Sequence, residues 1–248
     1  MNKVSIILPN YNSHKFIRKT LNSIITQTFR DWELIVVDDD SDEKTVKILK
    51  TFKKNKKIKI FFLKKNKGAA YCRNLAIRKS KSKYLAFIDS DDIWKKNKLY
   101  DQIKFMEKNQ YFFSYTHYYT FKENSNIYKK IKVPNKINFN YFIKNTSIAT
   151  STMIIKKSIL NNINFPKTKI CEDYYFKCRI LKKIDYAYCF PRYLSYYQIR
   201  KNSLQSNKLR NIYWIWKINN NLNKLNFFDN LISLLSISFN SIKKYGFK

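Results

Sequence analysis

The stretch Tyr84-Leu85-Ala86-Phe87-Ile88-Asp89-Ser90-Asp91-Asp92 decides the fold of this chain. An apolar run ends abruptly in three carboxylates, Asp89, Asp91 and Asp92. A short continuous apolar run is the pattern of a strand buried on both faces. A strand that delivers hard oxygen ligands at its tip suits Mg²⁺ or Mn²⁺ held against a phosphate-bearing ligand. The bland alternative is a strand end followed by an acidic helix cap, since Asp caps helices well. The chain has 50 basic and only 17 acidic side chains, so three acids within four residues call for a reason.

Working outward, the same pattern recurs. Val4–Leu8 is a continuous apolar run that Pro9 is expected to stop. Phe16, Ile17, Leu21, Ile24 and Ile25 follow at helical spacing, with Asn12 or Ser13 as the expected N-cap. Trp32–Val37 reads as a second buried strand, ending at Asp38-Asp39-Asp40-Ser41-Asp42. Lys44–Thr51 reads as a helix, Ile58–Leu63 as a third strand and Gly68–Ser80 as a helix. Tyr84–Ile88 is the fourth strand, and Leu99, Ile103 and Met106 mark another helix. This alternation predicts an α/β fold with a mostly parallel sheet covered by helices on both faces. Ligands on such sheets bind beyond the carboxyl ends of the strands. Topology alone therefore brings Pro9-Asn10-Tyr11, Asp38-Asp39 and Asp89–Asp92 to one edge.

From about residue 111 the pattern changes. Tyr111–Thr120 and Ile127–Val133 alternate in places, as antiparallel strands do, and Thr152–Ile155 is another short strand. Glu172–Ile184 is helical, with Phe176, Ile180 and Ile184 on one stripe. Tyr186–Phe190 and Leu194–Gln198 read as two short strands. From Lys208 helical spacing returns through Ile215, Ile218, Leu222 and Leu225. The expected organisation is a nucleotide-binding half (1–110), a smaller antiparallel acceptor half (111–207) and a helical extension (208–248).

Composition narrows the class. With 248 residues and 44% hydrophobic content the chain can bury a sizeable core, and 2 Gly and 4 Pro argue for regular elements. The formal charge of +33 attracts phosphates of any kind, although abundant Lys, Asn, Ile, Phe and Tyr together also point to A/T-rich coding. Its lysines are scattered, whereas a nucleic-acid arm would be blocky. Cys72, Cys171, Cys178 and Cys189 show no zinc spacing and read as reduced thiols of a cytoplasmic protein. No stretch reaches the length of a spanning helix; Leu231–Phe239 comes nearest and is broken by serines. Neither Gly-x-Gly-x-x-Gly nor a Walker sequence occurs, so phosphate must be held by metal and Lys/Arg.

Five segments in order resemble glycosyltransferase family 2 across roughly the first 200 residues. They are Val4–Asn12, Glu33–Ser41, Asn66–Ala70 with Arg73-Asn74, Phe87–Asp92 and Glu172-Asp173. Phe113–Thr116, Lys144–Ser147 and Ser203–Lys208 resemble the branch containing teichuronic acid and other cell-surface polysaccharide transferases. The resemblance implies a GT-A, Rossmann-like fold and an inverting transfer from a nucleotide sugar, a UDP-sugar first among them. Pro9 and Tyr11 would then lie against the base and Asp39 would accept its N–H. Asp38 is either a nucleotide contact or a turn residue, and Arg73 either reaches the nucleotide or pairs with a neighbouring acid. Asp91 is the first choice of metal ligand, for Mg²⁺ or Mn²⁺. Asp89 would touch the ribose or share the metal, and Asp92 would position Asp91 or cap a helix starting near Trp94. Asp173 is the implied general base, opening a helix whose dipole favours a carboxylate. Glu172 would orient the acceptor, a glycan or a lipid-linked sugar.

One position departs from the pattern. Where many family members place a histidine after the Tyr196-Tyr197 strand, this chain reads Gln198-Ile199-Arg200. A guanidinium cannot ligate a metal, so Arg200 is a candidate clamp for the diphosphate, and the third metal ligand is open. Ser203 and Lys208 belong to the same loop. The C-terminal segment, with Trp214, Trp216 and many lysines, is either a packed helix pair or an amphipathic element on an anionic membrane, on the inner face of the cytoplasmic membrane. Two other classes remain: a basic nucleic-acid-binding protein, which leaves the clustered acids unexplained, and a metal-dependent nucleotidyltransferase, which lacks its glycine-rich turn. No specific nucleic-acid partner is expected.

Overall fold

A computed structural model describes residues 3–123, 127–200 and 207–245. The first half alternates strand and helix: β1 (Val4–Asn10), α1 (Ile17–Ile25), β2 (Trp32–Asp38), α2 (Glu43–Phe52), β3 (Ile58–Phe62), α3 (Ala69–Lys79) and β4 (Tyr84–Phe87). A two-residue strand, β5 (Ile93–Trp94), precedes α4 (Lys98–Lys108). The second half contains β6 (Phe113–Lys122), β7 (Tyr128–Ile131), β8 (Lys136–Ile137), α5 (Phe139–Phe142), β9 (Ile154–Lys156), α6 (Glu172–Leu181) and β10 (Ala187–Ile199). Two helices, α7 (Lys208–Asn221) and α8 (Phe227–Tyr245), complete the chain.

The strands form one sheet in the order β3-β2-β1-β4-β9-β6-β10-β5, with β7 beside β6 and β8 beside β10. β3, β2, β1 and β4 are parallel, and β9 joins β4 and β6 antiparallel. The mostly parallel sheet is thus extended by a mixed part that a single short strand connects.

Alternation along the strands explains why apolar runs appear where one-sided patterning does not. Ile7, Ile35, Val37, Leu85 and Phe87 face α3 and α6, packing with Cys72, Ala76, Phe176 and Ile180. Their neighbours Ile6, Leu8, Leu34, Val36 and Ala86 face α1, α2 and α4, packing with Leu21, Ile24, Leu49, Leu99 and Met106. Both faces are dry, so the strand positions are mostly apolar; the buried exceptions Ser5 and Glu33 satisfy each other, the Ser5 hydroxyl donating to Glu33 Oε1 at 2.6 Å.

Several expectations need correction. β1 does not stop at Pro9 but runs to Asn10, with Pro9 paired to Val37. The Ile7 carbonyl accepts from the Ile88 amide, so alternate residues of β1 turn their backbone toward β4. Pro9 has the same parity but lies beyond the last β1–β4 pair, Ile7 with Phe87. Its missing N–H therefore costs no ladder bond. α1 starts at Ile17 without a side-chain cap; the Ser13 carbonyl accepts from the amides of Phe16 and Ile17 instead. The two expected strands 186–190 and 194–198 are one, β10, which absorbs Pro191 through register shifts against β6. α6 ends at Leu181, short of Ile184. α7 buries Ile215 and Ile218 but ends before Leu222 and Leu225. None of the four cysteines is in a disulfide. Among the described residues no helix is long and apolar enough to cross a membrane.

Candidate active site

The carboxyl ends of β1, β2 and β4 meet at one edge, and each brings a polar cluster. At the end of β1, Asn10 is buried and donates to Asp38 Oδ1 at 2.6 Å. Ser41 donates to the same oxygen from its hydroxyl, also at 2.6 Å. Asp38 is thus the brace of the β2 turn. Tyr11, just beyond, is exposed. Asp39 takes the neighbouring position: its carboxylate accepts from the amides of Lys67 at 2.7 Å and Gly68 at 2.8 Å. Gly68 sits at φ +84°, a backbone state that L side chains rarely adopt. That turn folds the start of α3 over the end of β2.

Arg73, in the second turn of α3, is buried and forks between two acids from distant segments. One terminal nitrogen donates to Asp89 Oδ1 and the other to Glu172 Oε1, each at 2.7 Å. Its guanidinium also lies 5.3 Å from the centre of the Phe165 ring. Of the two alternatives for Arg73, pairing with neighbouring acids is the arrangement seen. It ties the tip of β4 to the start of α6.

The three carboxylates after β4 have different surroundings. Asp89 receives the ion pair from Arg73, and its amide donates to Ser151 Oγ at 3.0 Å. Asp91 Oδ2 lies 2.7 Å from Arg200 Nε. Burial lifts the Asp91 carboxyl to about 6 against the opposing pull of Arg200, and the Asp89 charge adds to the rise. Asp92 is fully buried, and its Oδ1 accepts from the Gln198 amide at 2.9 Å. Burial, then the charges of Asp91 and Asp89, raise its carboxyl well above the ordinary range. Asp92 does not cap a helix: β5 intervenes and α4 begins only at Lys98. It fastens the β4 tip to β10.

Asp173 stands in the first turn of α6, after Cys171 in the left-handed region at φ +60°. Lys177 Nζ donates to Asp173 Oδ2 at 2.7 Å, and Thr150 Oγ1 donates to the same oxygen at 3.0 Å. Burial pushes the Asp173 carboxyl up, but Lys177, with help from Arg73 and Thr150, holds it down at about 2. Glu172 differs: burial raises it even though Arg73 pulls the other way. Lys177 and Thr150 did not emerge from sequence reasoning. The Asp173–Lys177 spacing of four on a helix was the available signal.

The donor set suits a hard divalent ion. Asp89 and Asp91 offer carboxylate oxygens from one strand tip, and Asp91 already draws a cation, the Arg200 guanidinium, onto itself. Mg²⁺ commonly uses one or two carboxylates, with water and substrate phosphate filling its remaining positions. Among the described residues no three His, Cys, Asp or Glu gather in metal-binding geometry. Ser203 lies outside the described residues, and Lys208 opens α7 exposed to solvent.

Comparison with known proteins gives this edge its family. The profile of Glycosyl transferase family 2 matches residues 5–163, which hold every residue of the site up to Thr150. The chain belongs to glycosyltransferase family 2. This transferase is 32% identical over 243 residues to TuaG of Bacillus subtilis, a glycosyltransferase assigned to teichuronic acid biosynthesis, covering 97% of this chain and 96% of the relative. It is 37% identical over 217 residues to WfgD of Escherichia coli, a UDP-Glc:α-D-GlcNAc-diphosphoundecaprenol β-1,3-glucosyltransferase, covering 87% and 84%. Among solved structures, S. aureus TarS 1-349 in complex with UDP-GlcNAc matches with a TM-score of 0.75 at 23% identity, over 97% of this chain and 73% of that one. The mannosyltransferase PcManGT from Pyrobaculum calidifontis, in complex with GDP-Man and Mn²⁺, matches at 0.70 and 15% identity, over 95% and 69%. At these identities the structural likeness speaks for the fold, GT-A as expected.

Proposed function

We propose that this transferase moves a sugar from a UDP-sugar to a glycan or lipid-linked acceptor during cell-surface polysaccharide assembly, inverting the anomeric carbon. The reading is supported by one observation above the others. Arg73 joins the donor-side carboxylate Asp89 to the acceptor-side Glu172, and next to Glu172 stands a carboxylate held ionised. A nucleophile-activating base and an acidic phosphate-binding tip thereby share one edge. The names of TuaG and WfgD support the substrate classes: a cell-wall polymer for one, and a UDP-sugar with a diphospholipid-linked acceptor for the other.

In this proposal residues 1–110 hold the donor and 111–207 the acceptor. Pro9 and Tyr11 flank the base, and Asp39 takes its N–H while keeping its amide contacts. Asp91, with Asp89, would hold Mg²⁺ or Mn²⁺, whose charge would stabilise the departing diphosphate. Arg200 is the second cation at the same place. Asp173 Oδ2 is committed to Lys177 and Thr150, which leaves Oδ1 to accept the proton of the acceptor hydroxyl. Lys177 and Thr150 favour the ionised carboxylate, the form that accepts a proton. Glu172 orients the acceptor from a position fixed by Arg73.

The test is turnover of UDP-glucose and UDP-GlcNAc with a diphospholipid-linked GlcNAc acceptor, read as released UDP. Asp173→Asn is expected to retain UDP binding and lose about 10²–10⁴ in kcat. Near-normal turnover in that variant would remove Asp173 as the base. Release of the sugar 1-phosphate in place of UDP would mark transfer of the uridylyl group and overturn the reading.

A further inference from the structure

α8 is seated by apolar packing and by hydrogen bonds. On its inward face Leu234 and Ile237 pack against the core, and Ser233 is fully buried and donates to the Ile143 carbonyl at 2.6 Å, while accepting from Asn219 Nδ2 at 3.0 Å. Asn230 donates to the Trp216 carbonyl at 3.2 Å, and Asn240 to the Lys144 carbonyl at 3.1 Å. At the far end Lys244 Nζ donates to Asn145 Oδ1 at 2.8 Å and Ser147 Oγ at 2.6 Å. These contacts fix the rotation of the helix along its length. Its outward face is apolar: Phe228 is 74% exposed, Leu235 64% and Phe239 69%, with Leu231 and Ile232 exposed between them. The spacing places all five on one stripe, running most of a helix about 28 Å long at 1.5 Å per residue.

Water selects polar residues for the exposed face of a helix. A contiguous apolar stripe of this kind marks an interaction surface. We propose that the outward face of α8 is a docking surface for an anionic lipid bilayer, with the helix lying in the plane of the interface. Charge favours a membrane over a second copy of the chain. The protein carries +33, so two copies would repel, whereas anionic headgroups supply the complement. Asp229 is the one acid in the helix, and exposed Lys224 and Lys243 lie at its two ends. Exposed Phe227, packed edge-on against Trp216 and Phe228, adds an aromatic cluster at one end, the kind of group that sits at headgroup level. The helix is not apolar enough to span, which agrees with its hydrogen-bonded inner face. Trp214 and Trp216 of α7 are only partly exposed, so the surface expected from their presence belongs to α8 instead. The inference stands on the patterning of α8 and is independent of the sugar-transfer reading.

Flotation of the full chain with phosphatidylethanolamine–phosphatidylglycerol vesicles, with phosphatidylcholine vesicles as the neutral arm, tests it. The paired variant Leu235→Glu with Phe239→Glu removes two exposed side chains without touching the inner face. Wild type is expected to float with the anionic vesicles. The variant should partition about a hundredfold more weakly, roughly tenfold per side chain, with an unchanged melting midpoint. The proposal is overturned if wild type stays at the bottom at low salt. It is equally overturned if the variant floats as well as wild type, since charge alone would then suffice. A wild-type dimer that the variant converts to monomer in sedimentation equilibrium would assign the stripe to a second copy and also overturn it.

Discussion

Replacing Lys177 with Met tests how the Asp173 carboxylate is held. The Lys177 side chain is 3% exposed, and its ammonium lies 2.7 Å from Asp173 Oδ2. Lys177 is the largest influence holding the Asp173 carboxyl at about 2 rather than its ordinary 3.8, against burial. That difference is worth about 2–3 kcal/mol. In wild type, where the folded pKa lies below the unfolded one, this stabilisation is present above pH 3.8 and is lost as pH falls toward 2. Without the ammonium, burial dominates and the folded pKa rises above 3.8. Lys177→Met should therefore cost about 3–5 kcal/mol at neutral pH, the penalty of a buried charge that has lost its partner. The penalty should shrink as pH falls, because the carboxyl takes up a proton in the folded state. Urea unfolding at pH 7.5 and pH 4.5 measures it, and the double variant Lys177→Met with Asp173→Asn should recover most of the loss. In the rate profile, an acid limb absent from wild type above pH 4 should enter the accessible range. A penalty that is constant with pH and not relieved in the double variant would refute the coupling.

Three other outcomes follow from the same contacts. Arg73→Met strands Asp89 and Glu172 together, so it should destabilise the fold by about 3–5 kcal/mol in urea; Arg73→Lys, with a single ammonium in place of the fork, should fall between. Phe176→Ala opens a cavity between Phe87 and Phe165, which pack on that ring, and should cost about 3–5 kcal/mol by the same assay. Lys98 is fully buried over the Trp94 ring with no hydrogen-bond partner, and burial drives its pKa far down; Lys98→Met should raise stability by about 1–3 kcal/mol, measured as a higher urea midpoint.

What could be read from residues alone follows from which physical signals are local. Val4–Leu8, Trp32–Val37 and Tyr84–Ile88 were legible because a strand buried on both faces is apolar at nearly every position, Ser5 and Glu33 being the exceptions. The convergence of Asp38-Asp39 with Asp89–Asp92 was legible because parallel topology fixes which strand ends meet. Pro9 misled because its harmlessness depends on the pairing with β4 ending two residues earlier, at Ile7, a fact about a strand nearly eighty residues away. Pro191 misled in the same way, since register shifts against β6 let β10 continue past it. The role of Arg73 was undecided because its partners, Asp89 and Glu172, come from two distant segments. Lys177 carried a local signal, the i,i+4 pair with Asp173, that composition obscured: in a chain with 50 basic residues one more lysine attracts no notice. For the C-terminal segment, a packed helix pair and a membrane-surface element both stayed open because periodicity reports two faces without saying which one turns inward.

The account's central claim is that Asp91 anchors a metal-assisted UDP site at the carboxyl edge of the sheet. Calorimetric titration of UDP into wild type and Asp91→Asn, each with and without Mn²⁺, tests it most directly. The account predicts tight UDP binding by wild type only with Mn²⁺, and loss of that Mn²⁺ dependence in Asp91→Asn. Equal, Mn²⁺-strengthened binding by both proteins would contradict it.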